Sequence, residues 1–478
     1  MTEKVKIIWV YVLSALFLAV NFYLVLEKDF YWLFLLPLVL IVFYYYLVSL
    51  DKVFLFITFL TPLSVNISNL EMGMGLSLPT EPLMFGVVLI FIANLIFENK
   101  YDRTIARHPI SYIIYFDLLW MLLTTFTSEM PIVSLKYLIS RIWFVVPFYF
   151  VAVLVFKNEK NIRKFFWLYI IPLIAVVFYT ISQHARYGFD ENAGHWVMSP
   201  FYNDHTAYGA ALAIFYPVII GLIFYPGSRK STRFAAFIIT IIMTVAIILS
   251  YSRAAWISIV AAFVVFLLII FKIRFYWVVL GTAVIIGAFV FFQQQVFDVL
   301  EKNKQDTSAN FVEHVRSIAN ISSDASNLER INRWQAALRM FEERPVTGWG
   351  PGTYQFMYAP FQLAKEKTII STNLGDKGNA HSEYLGPLAE MGFPGLLIIL
   401  SLVIVVIYKG LLVYRRGGRE EKFLSLMVTL GLITYFVHGF LNNFLDTDKL
   451  SVPFWGFIAV IVALDLYHTK KPEKISPE

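Results

Sequence analysis

Two kinds of residue are scarce in this chain. It contains no cysteine, and only 15% of its 478 residues are charged. The absence of cysteine is compatible with an oxidising exterior but does not require one. So low a charged fraction lies outside the usage of soluble globular domains and indicates a different class of protein.

Several common catalytic signatures are also missing. The sequence has no P-loop and no dinucleotide-binding glycine fingerprint, which argues against a nucleotide bound through those motifs. It has no G-x-S-x-G elbow for a serine nucleophile. Metal catalysis needs clustered histidine and acidic ligands, and the best match is the single D-x-D of Asp446 and Asp448, a pattern of low specificity.

Apolar residues are abundant, at 58% hydrophobic and 17% aromatic. Apolar runs of about 17 to 25 residues, long enough to cross a bilayer as helix, recur along the chain. The first run follows Lys4 and Lys6 as in a signal peptide, but it is too long and lacks a cleavage site, so we expect it to remain as a span. The pattern predicts an all-α, polytopic helical membrane protein with about 12–14 transmembrane helices, of which fourteen can be placed: 7–26, 30–48, 53–68, 79–97, 110–127, 135–156, 165–182, 207–225, 234–251, 254–271, 275–292, 386–408, 423–440 and 452–467.

The basic residues predict the orientation of these spans. With a cytoplasmic N-terminus, Lys and Arg concentrate in the short inner loops 98–109, 157–164, 226–233, 272–274 and 409–422. The outer loops carry few, which is the positive-inside asymmetry. An even number of spans returns the C-terminus to the cytoplasm. The net charge of +6 is therefore attributed to topology rather than to nucleic acid.

This orientation divides the chain into four sections. Residues 1–292 hold about eleven spans, 293–383 form a large periplasmic loop, 384–468 hold about three spans, and 469–478 are a cytoplasmic tail. In the loop, Ser326 and Glu329 match a capping box, which predicts an amphipathic helix near 327–343. Its predicted apolar face, directed at the membrane domain, consists of Leu328, Ile331, Trp334, Leu338 and Phe341.

A few polar residues lie within or beside the apolar runs, where a charged side chain is costly. Arg141 and Arg253 fall within or at the rim of apolar runs, so each either faces a cavity or is explained by structural pairing or snorkelling. Arg330 stands one helical turn before Trp334 and is placed to pack over its indole, although a solvated helix face is the alternative for Arg330 and Arg333. The glycines of "TGWGPGTY" either bring backbone amides to an anion or form a plain turn.

His381 is a lone histidine between the polar loop and a span, and its setting alone does not assign it a role. Arginine forks suit phosphate, and a neutral histidine suits removal of a proton from a hydroxyl. Placed together at the outer membrane border, these groups indicate transfer chemistry on a lipid-anchored phosphate.

The residues also resemble a known family, the O-antigen ligase and polymerase superfamily of bacterial envelope glycosyltransferases. The motif H-[NSQ]-x9-G-x-x-G is met by His381, Ser382, Gly392 and Gly395. An R-x-x-x-W pattern is met by Arg330 and Trp334, and an S-R-[GA]-A-W turn by residues 252–256. The segment "FYNDHTAYGA", with Asn203 and His205, is similar to the start of a span in the family. The likeness covers roughly residues 200 to 400, and fourteen spans exceed the dozen expected of the ligases.

The resemblance implies a function. In the family the donor is a glycan on undecaprenyl diphosphate, no metal or other cofactor is needed, and the large loop caps a cavity open to the periplasm. Carried onto this chain, Arg253 and Arg330 would bind the diphosphate leaving group, while His381 would activate the acceptor hydroxyl and give inversion at the anomeric carbon. The lower-ranked candidates for binding the diphosphate or the acceptor are Arg141, Arg333, Asn203, His205 and Trp334.

The acceptor is less determined by the sequence than the donor. We expect an O-antigen ligase that transfers the glycan to lipid A–core in the bacterial inner membrane. The alternatives are an O-antigen polymerase, with another lipid-linked repeat as acceptor, and a protein O-oligosaccharyltransferase. A polysaccharide transporter or flippase is the alternative outside the enzymes, but it would be expected to show internal repeats, and none is visible.

Overall fold

The computed structural model describes residues 3–67, 75–97, 102–274, 325–364, 367, 371 and 378–469, without the side chains of 325–328. Within these residues, ten helices are long and apolar enough to cross a membrane. The predicted class, a polytopic all-α membrane protein, is confirmed. The chain divides into two compact units, residues 1–53 and residues 54–478.

Fourteen helices of eleven residues or more are described, and they are numbered here in chain order. They are α1 (Glu3–Lys28), α2 (Leu36–Val48), α3 (Leu50–Leu60), α4 (Thr80–Phe97), α5 (Pro109–Phe126), α6 (Pro131–Val155), α7 (Glu159–Arg186), α8 (His205–Phe224), α9 (Lys230–Leu249), α10 (Arg253–Ile270), α11 (Ala325–Glu343), α12 (Leu385–Arg416), α13 (Arg419–His438) and α14 (Asp448–His468).

The predicted span 53–68 is the clearest departure. Helix α3 ends at Leu60 and is followed by a 3-10 turn at Thr61–Leu63 and a strand, β1 (Val65–Ile67), which pairs antiparallel with β2 (Leu76–Leu78). Pro62 cannot donate the next helical hydrogen bond. An eleven-residue helix is too short to cross the hydrocarbon core.

The other predicted spans in the described part of the chain coincide with helices. The second is α2, which is preceded by a 3-10 turn at Trp32–Leu35 and is shorter than a full span. The tenth is α10, which is 18 residues long and among the most apolar. The predicted span 275–292 lies outside the described residues.

Helix α13 lies at the centre of the membrane domain. It packs against α8, α10, α12 and α14, and most of its residues from Leu424 to Phe436 are buried. A helix buried on every side must be apolar all round, and α13 lacks a polar stripe. Its C-terminal residue, His438, is therefore brought to the point where the neighbouring helices begin.

Helix α12 contains a kink at Gly392, where φ is 68° and ψ is −166°. This left-handed conformation favours glycine, and a Cβ there would lie 2.3 Å from the Val346 carbonyl oxygen. The opened carbonyls are satisfied from outside the helix: Trp349 N–H donates to Ala389 O at 3.1 Å and Gly350 N–H donates to Glu390 O at 2.8 Å.

The glycine-rich segment 347–354 is thus hydrogen-bonded to the kinked part of α12. Gly348, Gly350 and Gly352 all have positive φ, which lets the backbone lie against the kink. The sequence left two interpretations of this segment, an anion site made of backbone amides and a plain turn. The anion site is not supported, because the amides of Trp349 and Gly350 donate to carbonyls of α12.

Helix α11 has a buried face that differs from the predicted one. Ile331 and Leu338 are more than a third exposed, at 36% and 38%. Apart from Met340, the buried residues are instead polar or small: Glu329, Asn332, Arg333, Ala336 and Ala337. The polar members hydrogen-bond to one another and to nearby loops, while the alanines allow α11 to approach α12 closely. The predicted Leu328 contact and Ser326 cap lie outside the described side chains.

Candidate active site

His381 lies in a short loop, residues 378–384, immediately before α12. Its own φ is 47°, a left-handed conformation that is uncommon for a residue with a side chain. The loop is fixed locally: Asn379 Oδ1 accepts from His381 N–H at 3.1 Å, and Ser382 Oγ accepts from Leu385 N–H at 3.3 Å. The serine of the motif therefore caps α12 and sets the position of the histidine before it.

Helix α11 holds this loop from the other side. Trp334 Nε1 donates to the His381 carbonyl at 3.4 Å, and Arg333 donates from its terminal nitrogen to the Asn379 carbonyl at 3.1 Å. Arg333 also forms a buried ion pair with Glu329, Nε to Oε1 at 2.9 Å, and lies over the Tyr358 ring. Arg333 is thus occupied in the fold, and Trp334 contacts the backbone of the motif.

The charge of the arginines acts on His381. Burial, followed by the positive charges of Arg333 and Arg330, lowers the pKa of His381 from its ordinary value of 6.5 to about 3. The carboxylates of Asp204 and Glu329 oppose this shift without cancelling it. The imidazole is therefore neutral at neutral pH, as a proton acceptor must be.

Arg253, Arg330 and His205 form an electrostatically interacting group. The His205 ring interacts electrostatically with both arginines and stacks on the His195 ring, with centroids 4.2 Å apart. Arg253 begins α10 after a Ser252 cap, and His205 begins α8 after an Asp204 cap. The starts of α8 and α10 lie close together, since a Cβ at Gly209 would lie 2.7 Å from Ser252 Cβ.

Three helix N-termini therefore converge on this place, those of α8, α10 and α12. Helix N-termini carry partial positive charge and favour anions. Arg253 and Arg330 add two full positive charges within electrostatic range of His205. The arrangement is suited to a strongly anionic group such as a diphosphate, with a neutral imidazole beside it.

Two of the predicted residues are not brought into this cluster. Asn203 is exposed one residue before the α8 cap. Arg141 is buried in α6, donates to Tyr137 Oη at 3.2 Å, and lines a separate cavity with Asp117 and Glu383. Its electrostatic partners are those residues, which favours the structural-pairing reading for Arg141.

Three residues near the site were not singled out from the sequence. Asp204 interacts electrostatically with His381, His205 and His438, and its place just before an apolar run is a recognisable cap signal. His438 is fully buried and contacts Asn442, with Nε2 and Nδ2 3.2 Å apart; no local pattern distinguishes it.

Glu383 is the third residue, and it ties the His381 loop to the connection between α13 and α14. Its Oε1 accepts from Tyr435 Oη at 2.6 Å, Phe444 N–H at 2.8 Å and Leu445 N–H at 3.0 Å. Its own N–H donates to the Gly439 carbonyl at 2.7 Å. We call these four hydrogen bonds the Glu383 latch.

No group of three or more histidine, cysteine, aspartate or glutamate side chains in the described part of the chain could hold a metal ion. The Asp448 carboxylate, considered from the sequence as half of a D-x-D, instead accepts hydrogen bonds from Ser64 and from Thr80 Oγ1, the latter at 2.6 Å. Asp448 therefore serves the packing of α14.

Fold and site together define a polytopic membrane protein with a histidine–arginine cluster at the ends of its helices. Residues 238–400 match the family model described as O-antigen ligase. This match confirms the predicted resemblance to the O-antigen ligase and polymerase superfamily of membrane glycosyltransferases. The matched range contains Arg253, Arg330 and His381 but ends before His438 and the α13–α14 connection. No curated protein sequence matches the chain.

Proposed function

We propose that this protein is an O-antigen ligase, which transfers a glycan from undecaprenyl diphosphate to a hydroxyl of lipid A–core. The observation that carries the proposal is that Arg330 interacts electrostatically with both His381 and His205, and His205 with Arg253, where the helices α8 and α10 begin. The proposal places the site on the periplasmic face of the bacterial inner membrane, with both termini in the cytoplasm.

In the proposed reaction, Arg253 and Arg330 bind the diphosphate of the donor. The acceptor oxygen forms a bond to the anomeric carbon as the bond from that carbon to the phosphate oxygen breaks, so the configuration inverts. His381 takes the proton of the acceptor hydroxyl, and undecaprenyl diphosphate leaves with its charge held by the arginines. Neither a metal nor a cofactor takes part in this proposal.

The other predicted residues receive positioning roles. Arg333 holds the Asn379 carbonyl and Trp334 holds the His381 carbonyl, so both set the position of the imidazole. His205 interacts electrostatically with Arg330 and Arg253, and Asn203 lies exposed just before the start of α8. Arg141 supports Glu383 from its separate cavity.

Deletion of the gene tests the acceptor. If the protein is the ligase, lipopolysaccharide loses every band that carries O-antigen, and full-length chains remain on undecaprenyl diphosphate. A surviving core with one repeat unit would show a polymerase instead, and normal lipopolysaccharide with missing glycoprotein bands would show protein O-glycosylation.

A single substitution tests the mechanism. His381→Ala should abolish transfer and leave expression and donor binding intact, because the imidazole acts on the acceptor and not on the diphosphate. Arg253→Ala should weaken donor binding as well. Near-normal turnover by His381→Ala would disprove the role of His381 as the base.

A further inference from the structure

A second cavity lies beside the candidate active site. It has a volume of about 280 Å³ and is lined by Tyr179 and Gln183 of α7 and by Trp196, Val197 and Ser199 of the connection from α7 to α8. Trp196 is 49% exposed, whereas Val197 is buried beneath it. The cavity is thus open on one side and has aromatic, amide and hydroxyl groups on its walls.

The α7–α8 connection is fastened to the active site at two points. His195, directly before Trp196, stacks on His205. A Cβ at Gly194 would lie 2.7 Å from the Tyr251 ring, and Tyr251 stands two residues before Arg253. The connection therefore contacts His205, which interacts electrostatically with Arg330 and Arg253, and Tyr251, which stands two residues before Arg253, so the cavity adjoins the site.

The walls of the cavity are also held in place. Tyr187 packs edge-on against Trp196, with centroids 4.9 Å apart, and Tyr179 Oη donates to the Ser199 carbonyl at 2.9 Å. His184 Nε2 contacts the Asp190 carbonyl at 2.8 Å, which closes the start of the connection. A Trp196 ring held in this way offers a fixed flat surface rather than a mobile side chain.

The chemistry of these walls fits a sugar ring. The C–H face of a pyranose packs on an indole or phenol ring, while its hydroxyls bond to an amide and a hydroxyl. No lining residue carries a charge, which disfavours binding of a phosphate in this cavity. The polar groups on its walls disfavour binding of an apolar polyprenyl chain. A purely interfacial tryptophan would need neither Gln183 nor Ser199 beside it.

We propose that this cavity is a glycan subsite, which binds a sugar ring one or more units away from the reacting bond. The proposal rests on the proposed function, because a lipid-linked glycan extends away from its diphosphate and must cross the surface beside Arg253 and Arg330. The sugar belongs either to the donor glycan or to the acceptor core.

The test uses the full chain in lipid nanodiscs with two probes, undecaprenyl diphosphate that carries the glycan and sugar-free undecaprenyl diphosphate. Trp196→Ala should weaken affinity for the glycosylated probe by about three- to tenfold, the usual worth of one aromatic contact. It should leave affinity for the sugar-free probe unchanged. Trp196→Phe, which keeps a ring, should restore most of the loss, and Gln183→Leu should act like Trp196→Ala.

The acceptor arm measures the KM for lipopolysaccharide that lacks O-antigen. A rise in this KM with unchanged donor affinity would assign the subsite to the acceptor sugar, and the opposite result would assign it to the donor glycan. Trp9→Ala is the matched control, since Trp9 is 53% exposed in α1 and does not line the cavity.

Two outcomes would overturn the subsite. One is an equal loss of affinity for the glycosylated and sugar-free probes, which would indicate a lipid or folding role for Trp196. The other is no change in donor affinity or acceptor KM for any variant. Wild-type protein that binds neither probe would instead contradict the proposed function, so the two failures are distinguishable.

Discussion

At the scale of single residues, His381 combines three features that are rarely found together. Its backbone is left-handed, its side chain is half-buried, and the positive charges of two arginines lower its pKa. Backbone strain of this kind persists only where the surroundings enforce it, here through Trp334 and Asn379. The neighbourhood that fixes the imidazole also makes it a poor base while the site contains no anion.

We therefore expect the ionisation of His381 to differ between free and donor-bound enzyme. In the free enzyme its pKa is about 3, so acid removes the base only far below neutral pH. A bound diphosphate compensates the charge of Arg330 and raises that pKa. The acidic limb of kcat should lie at higher pH than the His381 limb of kcat/KM. Coincident limbs in the two pH profiles would contradict this coupling.

Substitutions of Arg330 and Arg333 in α11 should have different effects. In Arg333→Lys a single ammonium cannot replace the Nε contact to Glu329 and the contact to the Asn379 carbonyl together. We expect kcat to fall about tenfold with donor affinity nearly unchanged, because only the His381 loop moves. Arg330→Lys should lower affinity for undecaprenyl diphosphate instead. Equal losses of affinity in both variants would show that Arg333 also binds the donor.

At the scale of elements, the His381 loop depends on a part of the chain about sixty residues away. The Glu383 latch joins it to the end of α13 and to the connection before α14. Burial raises the pKa of Glu383, which favours the neutral carboxyl. The Tyr435 hydroxyl and the N–H groups of Phe444 and Leu445 all donate to the same carboxyl oxygen. An amide side chain offers the same accepting oxygen in the same place.

Glu383→Gln should thus keep most of the transfer activity, whereas Glu383→Ala should lose most of it. The alanine leaves the Leu445 N–H without its acceptor, at about 1–3 kcal/mol, while the Phe444 N–H keeps only Tyr435 Oη, so the melting temperature should fall as well. Activity assays and thermal unfolding in detergent measure both effects. Glu342→Ala, at an exposed position of α11, is the control. Loss of activity in Glu383→Gln would mean that the carboxylate charge itself is required.

The sequence predicted the local features of the site better than its long-range ones. Ser382, Gly392 and Gly395 were found through the motif of the family that the sequence resembles, and Gly392 has a left-handed backbone at the kink of α12. The buried face of α11 was wrong because Glu329, Asn332 and Arg333 are buried in pairs, which an apolar pattern does not reveal. The Glu383 latch was missed because its partners lie on other helices.

At the scale of the whole molecule, the predicted inner loops contact one another at the end of the bundle away from His381. Lys157 pairs with Asp102 at 2.6 Å, and Lys409 pairs with Asp465 at 2.7 Å. These pairs join the loop 98–109 to 157–164, and the end of α12 to the end of α14. The basic residues that set the predicted topology thus also connect helix ends.

The absence of cysteine makes the predicted orientation directly testable. Asn192→Cys lies in the exposed α7–α8 connection, and Arg229→Cys lies in the exposed loop before α9. We expect a membrane-impermeant maleimide to label Asn192→Cys in intact spheroplasts and Arg229→Cys only after permeabilisation. The unmodified protein, which has no thiol, is the background control. The reverse pattern would place the site in the cytoplasm.

The Glu383 latch has a consequence for how the enzyme is made. A ribosome that has reached residue 400 has already produced Arg253, Arg330 and His381, yet Tyr435 and the Phe444 and Leu445 amides do not exist at that moment. The latch can form only after α13 and the residues up to Leu445 have been synthesised. On the proposed function, a translation product that ends before Tyr435 should therefore reach the membrane without transfer activity.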